Sequence, residues 1–401
     1  MISYDEALAR ILAETCRLPT EDVELADCVG RVLADDIVCR EPIPAFDYSA
    51  MDGYAFVFAE LPTGDRSRLA VMGVSRPGGA VLEKIEPLTA CRIFTGAPVP
   101  PPADTVVAQE DVEKVGPGEQ IVFLRAPKYR QHVRRRGEDL QEGSVALAKG
   151  VRLGTQHVGL CAALDQARIA VARKPRVTIL TTGDELRLAG SKVFPGSVVD
   201  GNGPMICALV KDCGGLAEHR HAADEMGAVR EEIRRALERS DLLLTIGGIS
   251  VGSHDHVRTA LEAEGVELDF WKVAIRPGKP VAYGRHGDVR VLGLPGNPAA
   301  AFVTATIFAA PLLRAMQGNV SVRPKWIAAR AAHEMRLPEG RAEFARAKVE
   351  FDEDGRVFVS LFSQQASGST VGIARANALA WLEGPGGTLE KGGKLRVLLL
   401  D

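Results

Sequence analysis

The segment Leu242-Leu243-Leu244-Thr245-Ile246-Gly247-Gly248-Ile249-Ser250-Val251-Gly252-Ser253-His254-Asp255 constrains the fold more than any other stretch. An apolar run that reads as a buried strand breaks into three glycines, two serines and a carboxylate, and a helix-like segment from His256 to Glu264 follows. Glycines at the C-terminal end of a strand let backbone N–H groups crowd around an anion, and the next helix adds its positive N-terminal end. Asp255 stands where a metal or a hydroxyl could be held. No Gly-Lys-Ser/Thr follows at Walker A spacing, and glycines at 247, 248 and 252 do not make the dinucleotide fingerprint. Kinase and nicotinamide-enzyme readings lose their main support. Two readings stay open here: a cradle for a phosphorylated ligand with a cation, and a tight turn with no ligand.

The surrounding region, residues 174–320, alternates strand and helix. Strands are expected at Val177–Leu180, Asp241–Ile246, Leu268–Ile275, Pro280–Tyr283 and Val289–Leu294. Asn202-Gly203-Pro204 starts a helix that ends at Gly214-Gly215, with proline near the start and glycine at the end. Asp224 can cap another helix running to Arg239, and Pro295-Gly296-Asn297-Pro298 leads into a long one. Such alternation predicts a parallel sheet with helices on both faces and ligands at the strands' C-terminal ends. Residues 41–139 instead show short β-like runs between prolines and glycines, the texture of an inserted β-rich domain. Residues 1–40 and 140–173 read as one helical, linker-like domain, and 321–401 as a C-terminal β domain. The fold class is therefore α/β multidomain.

Composition removes several function classes. A net charge of −3 offers no global attraction to nucleic acid or to acidic membranes. Arg125 to Arg136 holds six basic residues among twelve with Tyr129 as its one aromatic, which reads as a solvated or anion-facing arm. Ala299–Leu313, the most apolar long segment, spans 15 residues and includes Thr304, Thr306 and Pro311. A membrane span needs roughly 20, so a core helix is expected. Seven cysteines, odd in number and without a C-x-x-C pair, disfavour both a disulfide framework and a zinc site and fit buried thiols. Met1 to Glu6 lacks a basic n-region and an apolar h-region, which points to a cytoplasmic protein. Ser3 and Glu6 resemble a capping box opening a helix through Leu12. The pairs His254/His256 and His219/His221 lack a third ligand at metal spacing and are read as non-ligands.

Four turns carry polar groups where an α/β sheet would present them together: Thr181-Thr182-Gly183-Asp184-Glu185, Gly247 to Asp255, Arg276-Pro277-Gly278-Lys279-Pro280, and Pro295-Gly296-Asn297-Pro298. Carboxylates (Glu185, Asp255) beside cations (Lys272, Arg276, Lys279) suit a metal-bridged phosphate compensated by basic groups. A second stretch, Pro42 to Phe56, contains the tight polar turn Ser49-Ala50-Met51-Asp52-Gly53. Without context, Asp52 there is an ordinary turn residue.

These segments, taken in order, resemble the molybdopterin molybdenumtransferase family, the MoeA proteins and the E domain of gephyrin. The likeness rests on Phe46-Asp47-Tyr48-Ser49-Ala50-Met51-Asp52-Gly53-Tyr54-Ala55, Thr95-Gly96-Ala97-Pro98-Val99-Pro100 and Arg134-Arg135-Arg136-Gly137-Glu138-Asp139. It continues through Thr182-Gly183-Asp184-Glu185, Gly247 to Asp255, Pro277-Gly278-Lys279-Pro280 and Leu294-Pro295-Gly296-Asn297-Pro298, and weakens after residue 321. The resemblance implies a pterin-binding α/β domain and a barrel-like C-terminal domain. The implied reaction joins molybdate to the dithiolene of adenylylated molybdopterin and releases AMP in a Mg²⁺-dependent step. A molybdate oxygen or water would attack, so no protein nucleophile is needed.

By motif position, the resemblance places Glu185 and Asp255 at the metal and pterin-phosphate site, with Asp224 nearby. Gly247, Gly248, Ser250, Gly252, Lys272, Arg276, Pro295 and Asn297 would bind pterin and phosphate; Ser250, Lys279, Arg346 and Ser367 would face molybdate. Asp52, Thr95 and Asp139 would complete a catalytic cleft from the second subunit of a homodimer. Transient contact with the upstream adenylyltransferase and downstream molybdoenzyme assembly proteins is also implied. Two departures stand out. The family usually has lysine where Arg276 stands, and the planar, bidentate guanidinium differs in geometry. Around Gln365-Ala366-Ser367-Gly368-Ser369 the pattern is looser, leaving Ser367 or Ser369 open. Two alternatives compete with this reading. One is molybdopterin adenylyltransferase, opposed by the large flanking regions and by Gly-Gly-Ile-Ser-Val-Gly in place of Gly-Gly-Thr-Gly. The other is a non-catalytic, gephyrin-like scaffold.

Overall fold

The apolar run at 242–246 lies inside a six-stranded sheet. In this computed structural model, which describes residues 1–61, 68–80, 82, 84–116, 119–248 and 256–400, its strands are Arg176–Thr182 (β1), Leu216–Ala222 (β2), Leu242–Ile246 (β3), Glu267–Lys272 (β4), Pro280–His286 (β5) and Val289–Leu294 (β6). Their order is β2-β1-β3-β6-β5-β4. The first four run parallel, whereas β5 and β4 are antiparallel to their neighbours. The expectation of a parallel sheet is thus corrected to a mixed one. Only Gly287 and Asp288 join β5 to β6, and so short a link closes a hairpin, never a parallel crossover.

Every residue of β3 is buried. Leu242, Leu244 and Ile246 enter one core with Val177, Ile179 and Phe308, while Leu243 enters a second with Leu180, Val291, Val229 and Ile233. Side chains alternate between two covered faces, which is why the strand reads as continuous hydrophobicity. Helices Tyr4–Ala13 (α1), Asn202–Asp212 (α2), Met226–Arg239 (α3) and His256–Ala263 (α4) precede the long apolar helix. That last helix runs as Pro298–Thr304 (α5), a π-helical turn Ala305–Ala309, and Ala310–Met316 (α6). Its 19 residues are long and apolar enough to cross a membrane, but 78% of the apolar window is buried inside the protein. It is a core helix.

At α1, Ser3 Oγ accepts the Glu6 N–H at 3.1 Å. Glu6 does not return the bond; its carboxylate pairs with Arg10 at 2.7 Å, so only half of the expected capping box forms. The buried face of α1 carries Tyr4, Ala7, Leu8 and Ile11. Tyr4 sits 5.0 Å from the rings of Phe344 and of Trp381, both edge-on. Those two residues belong to a barrel of Trp326–Ala331 (β7), Ala342–Phe351 (β8), Val357–Leu361 (β9), Ala378–Leu382 (β10) and Lys394–Leu399 (β11). It closes in the order β8-β9-β7-β11-β10-β8. The two-residue strand Ile275–Arg276 adds to β8 in parallel, placing Arg276 opposite Glu343.

By contacts the chain divides into two compact units, one of 1–35, 149–158 and 168–401 and the other of 36–148 with 159–167. The second holds its own six-stranded sheet, around a core that includes Tyr54, Phe56, Ile121 and Phe123. All seven cysteines are free thiols; Cys28, Cys39, Cys91 and Cys161 are buried, but Cys16 is exposed, against the expectation of uniformly buried thiols.

Candidate functional site: two adjoining cavities at the sheet edge

The loops after β1, β3 and β6 converge on a cavity of about 500 Å³. Its wall carries Thr182, Gly183 and Glu185 after β1, Gly247 and Gly248 after β3, Pro295 and Asn297 after β6, and Asp224 after β2. Gly248 has a backbone only glycine tolerates well, with φ of +61° and an added Cβ lying 2.3 Å from Val257 Cγ2. The turn therefore folds tightly against α4. Ile249 to Asp255, including the expected site residues Ser250, Gly252 and Asp255, lie outside the described residues.

Asp224 does not cap α3. Glu225 occupies the N-cap position. The backbone N–H of Asp224 is instead held by the Asp184 carboxylate at 2.9 Å, and its side chain is left for the cavity. Asn202, not anticipated from the motifs, reaches the same wall. Its amide donates to the Gly296 carbonyl at 2.7 Å, and its Oδ1 is buried with no hydrogen-bond partner among the described residues. A buried acceptor without a donor costs about 1–3 kcal/mol, and a ligand N–H or O–H would relieve that cost.

Behind the wall, Asp200 Oδ1 accepts the Gly203 N–H at 2.9 Å and Oδ2 faces His219 Nε2 at 3.1 Å. His219 also lies 3.0 Å from Thr181 Oγ1, which lines the cavity. Burial pushes the Asp200 carboxyl up, but hydrogen bonds from His219, Gly203 and Thr181 outweigh it and hold the group at about 2, against 3.8 ordinarily. A depressed carboxyl stabilises the fold above its unfolded value, and that contribution fades as pH falls toward the folded one. The gap is worth about 2 kcal/mol. Asp200→Asn should therefore be destabilised relative to wild type by about that much above pH ~5, and by about half as much near pH 3. Thermal unfolding of both proteins across that range checks it; a pH-independent difference would refute it.

A second cavity, of about 550 Å³, shares Pro280, Pro295 and Asn297 with the first. It adds Arg276, Glu343, Arg346, Ser363, Gln365 and Ser367. Arg346 is 2% exposed, and burial lowers its pKa. Its guanidinium donates to the carbonyls of Ser369 (3.0 Å), Ala366 (3.0 Å) and Gln364 (3.3 Å), holding the 364–369 loop against β8. Ser369 Oγ accepts the Gly372 N–H as a helix cap. Of Ser367 and Ser369 it is Ser367 that lines the cavity, and its carbonyl accepts the Ala299 N–H at 2.9 Å. Lys272 and Lys279 are exposed and line neither cavity.

In the other unit, Asp52 Oδ1 accepts both the N–H and the hydroxyl of Thr95 at 2.8 Å. Those two bonds, with Arg92 nearby, hold its carboxyl below the usual range. Asp139 belongs to a separate cluster, 3.6 Å from Arg134, which also pairs with Glu138. Among the described residues no group of three histidine, cysteine or carboxylate side chains could hold a metal alone. A further cavity of about 600 Å³, lined by Arg152, Arg314 and Lys325, contains none of the expected residues.

Residues 2–164 match the MoeA N-terminal region (domain I and II), 178–315 the probable molybdopterin binding domain, and 328–400 the MoeA C-terminal region (domain IV). The molybdopterin molybdenumtransferase of Haemophilus influenzae is 33% identical over 98% of this chain and 97% of its own length. The chain belongs to the molybdopterin molybdenumtransferase family. A Bacillus subtilis molybdopterin molybdenumtransferase is 32% identical, covering 100% of this chain and 94% of its own. The crystal structure of the molybdopterin biosynthesis moeA protein from Pyrococcus horikoshii superposes with a TM-score of 0.85 at 27% identity, over 100% of both chains. For this molybdopterin molybdenumtransferase family member, the cavities described above lie where residues 178–315 match the molybdopterin binding domain and continue into the barrel matched at 328–400.

Proposed function

We propose that the chain transfers molybdenum from molybdate to molybdopterin presented in adenylylated form, releasing AMP. One observation carries this reading: a cavity lined by Glu185 and Asp224 shares Pro295 and Asn297 of its wall with one lined by Arg276, Arg346 and Ser367. A ligand with a phosphoanhydride at one end and a dithiolene at the other fits such a pair. Its phosphates would lie among carboxylates and glycine N–H groups, and its sulfurs near an oxyanion held on the arginine side.

The donors of the first cavity are carboxylate, hydroxyl and amide oxygens (Glu185, Asp224, Thr182, Asn202). That set fits Mg²⁺, which is held by one or two carboxylates plus substrate phosphates rather than by an all-protein cage. Glu185 and Asp224 would hold the ion, with Asp255 as the third carboxylate of the motif. When bound, it offsets phosphate charge. The protein's own part is orientation: Asn202 Oδ1 offers an acceptor to the ligand, the glycine turns admit its backbone-close end, and Ser367 borders the oxyanion. The reading includes a homodimer, with Asp52, Thr95 and Asp139 contributing to catalysis.

The test is to incubate purified protein with adenylyl-molybdopterin, molybdate and Mg²⁺ and follow AMP. Release that depends on molybdate and stops with chelator is the expected result. Formation of AMP-linked molybdopterin from ATP alone would favour the adenylyltransferase alternative, and no release under any condition would sink the proposal. Full molybdoenzyme activity in a Glu185→Ala strain would support the scaffold alternative.

A further inference from the structure

No motif singles out Glu343, yet its carboxylate lines the second cavity. The parallel pairing of Ile275–Arg276 with β8 sets it opposite Arg276, and the two form an ion pair at 3.6 Å. Glu343 is the sheltered partner, with 14% of its side chain exposed against 61% for Arg276. Among the described residues no hydrogen bond is donated to either carboxylate oxygen, so both keep free acceptor capacity.

The charge of the cavity is two guanidinium groups less one carboxylate, leaving one net positive charge. Arg346 has three of its five donors on loop carbonyls, and Glu343 half-neutralises Arg276. An ionised carboxylate accepts hydrogen bonds and donates none. A tetrahedral dianion without a proton also only accepts, so it would meet Glu343 acceptor to acceptor and like charge to like charge. An oxyanion that carries a proton meets it with an O–H donor and one charge fewer.

We infer that Glu343 is the specificity-determining residue of this cavity: it excludes tetrahedral oxyanions that cannot hold a proton, sulfate foremost, and admits those that can. Sulfate and molybdate are both unprotonated dianions in neutral water, but sulfate is the conjugate base of the stronger acid, so molybdate takes a proton from solvent on entering the cavity at a smaller cost, and that difference is what Glu343 reads. Selectivity of this kind is built from a repulsive element set against the wrong ligand. The inference rests on assigning the second cavity to the oxyanion.

Equilibrium dialysis of the full chain with radiolabelled molybdate tests it, with sulfate and inorganic phosphate as competitors and no pterin present. In wild type, phosphate, which carries an O–H at neutral pH, should displace molybdate at least about tenfold more effectively than sulfate. Glu343→Gln, which replaces an acceptor by a group that also donates, should improve sulfate competition relative to molybdate by about tenfold or more. Equal competition by sulfate and phosphate in wild type overturns the inference even if the variant fails to fold. An unchanged sulfate-to-molybdate ratio in a folded Glu343→Gln protein that still binds molybdate overturns it while leaving the cavity assignment intact. No molybdate binding to wild type overturns both.

Discussion

Arg346→Met should destabilise the chain by about 3 kcal/mol and abolish molybdate binding. Arg346 is nearly fully buried and, among the described residues, forms no ion pair; its planar fork is matched to three backbone carbonyls and to Gln365 Oε1 at 3.4 Å. Hydrogen bonds from a charged donor contribute about 1.5–3 kcal/mol, and each buried carbonyl left unpaired costs about 1–3 kcal/mol. Part of this is recovered when the 364–369 loop opens to water, which leaves a net loss of about 3 kcal/mol. Opening the loop also withdraws Ser367 from the second cavity. Arg346→Lys keeps the charge but loses the fork, so it should retain part of the stability and little of the anion binding. Hydrogen exchange of residues 362–370 and denaturant unfolding measure the two effects together. Native-like protection of that segment in Arg346→Met would show that the loop supports itself.

Removing the Glu185 charge should have the largest effect on turnover. Glu185→Gln keeps shape and most packing while deleting a carboxylate from the cavity proposed for phosphate and cation, and AMP release should fall by about 10²–10³-fold. Gly183→Ala provides an independent route to the same defect. Gly183 has a φ of +141°, and an added Cβ would lie 2.6 Å from Glu185 Oε2. The carboxylate would remain in the chain but leave its place. Both variants should bind molybdate as wild type does, because the second cavity does not include either residue. Unaltered AMP release in both would remove Glu185 from the reaction; reduced molybdate binding would mean that the two cavities do not act separately.

Much of the first cavity was legible in the chain because its walls are turns, and turns write themselves in local residue choice. Gly247, Gly248, Pro295 and Asn297 all line one cavity, and at the first three a positive φ or a fixed proline φ restricts the residue that can occupy the position. Pairings made across long sequence separations were not legible. That β5 and β4 reverse direction depends on a two-residue link whose neighbours look like any other buried strand. Glu343 gains meaning only from its register against Arg276, which no local pattern encodes. Asp224 was misread for a subtler reason: an aspartate before a helix suits a side-chain cap, and here it is the backbone N–H that is bound, by Asp184. Arg346, placed toward molybdate by resemblance alone, lines the second cavity, and its three carbonyl partners sit on a loop 18–23 residues away in sequence that no local pattern ties to it.

The packing of Tyr4 against Phe344 and Trp381 sets a schedule for the protein's birth on the ribosome. Helix α1 finds these partners only after more than 300 further residues have been synthesised, and the barrel that carries them closes only with β11, at 394–399. At about 5–20 residues per second, that is a wait of tens of seconds during which the apolar face of α1 lacks its aromatic cover. Contacts so distant in sequence also slow the search for the native state. Nascent chains of this protein should therefore depend on whatever shields exposed apolar surface in the cell until β11 is in place.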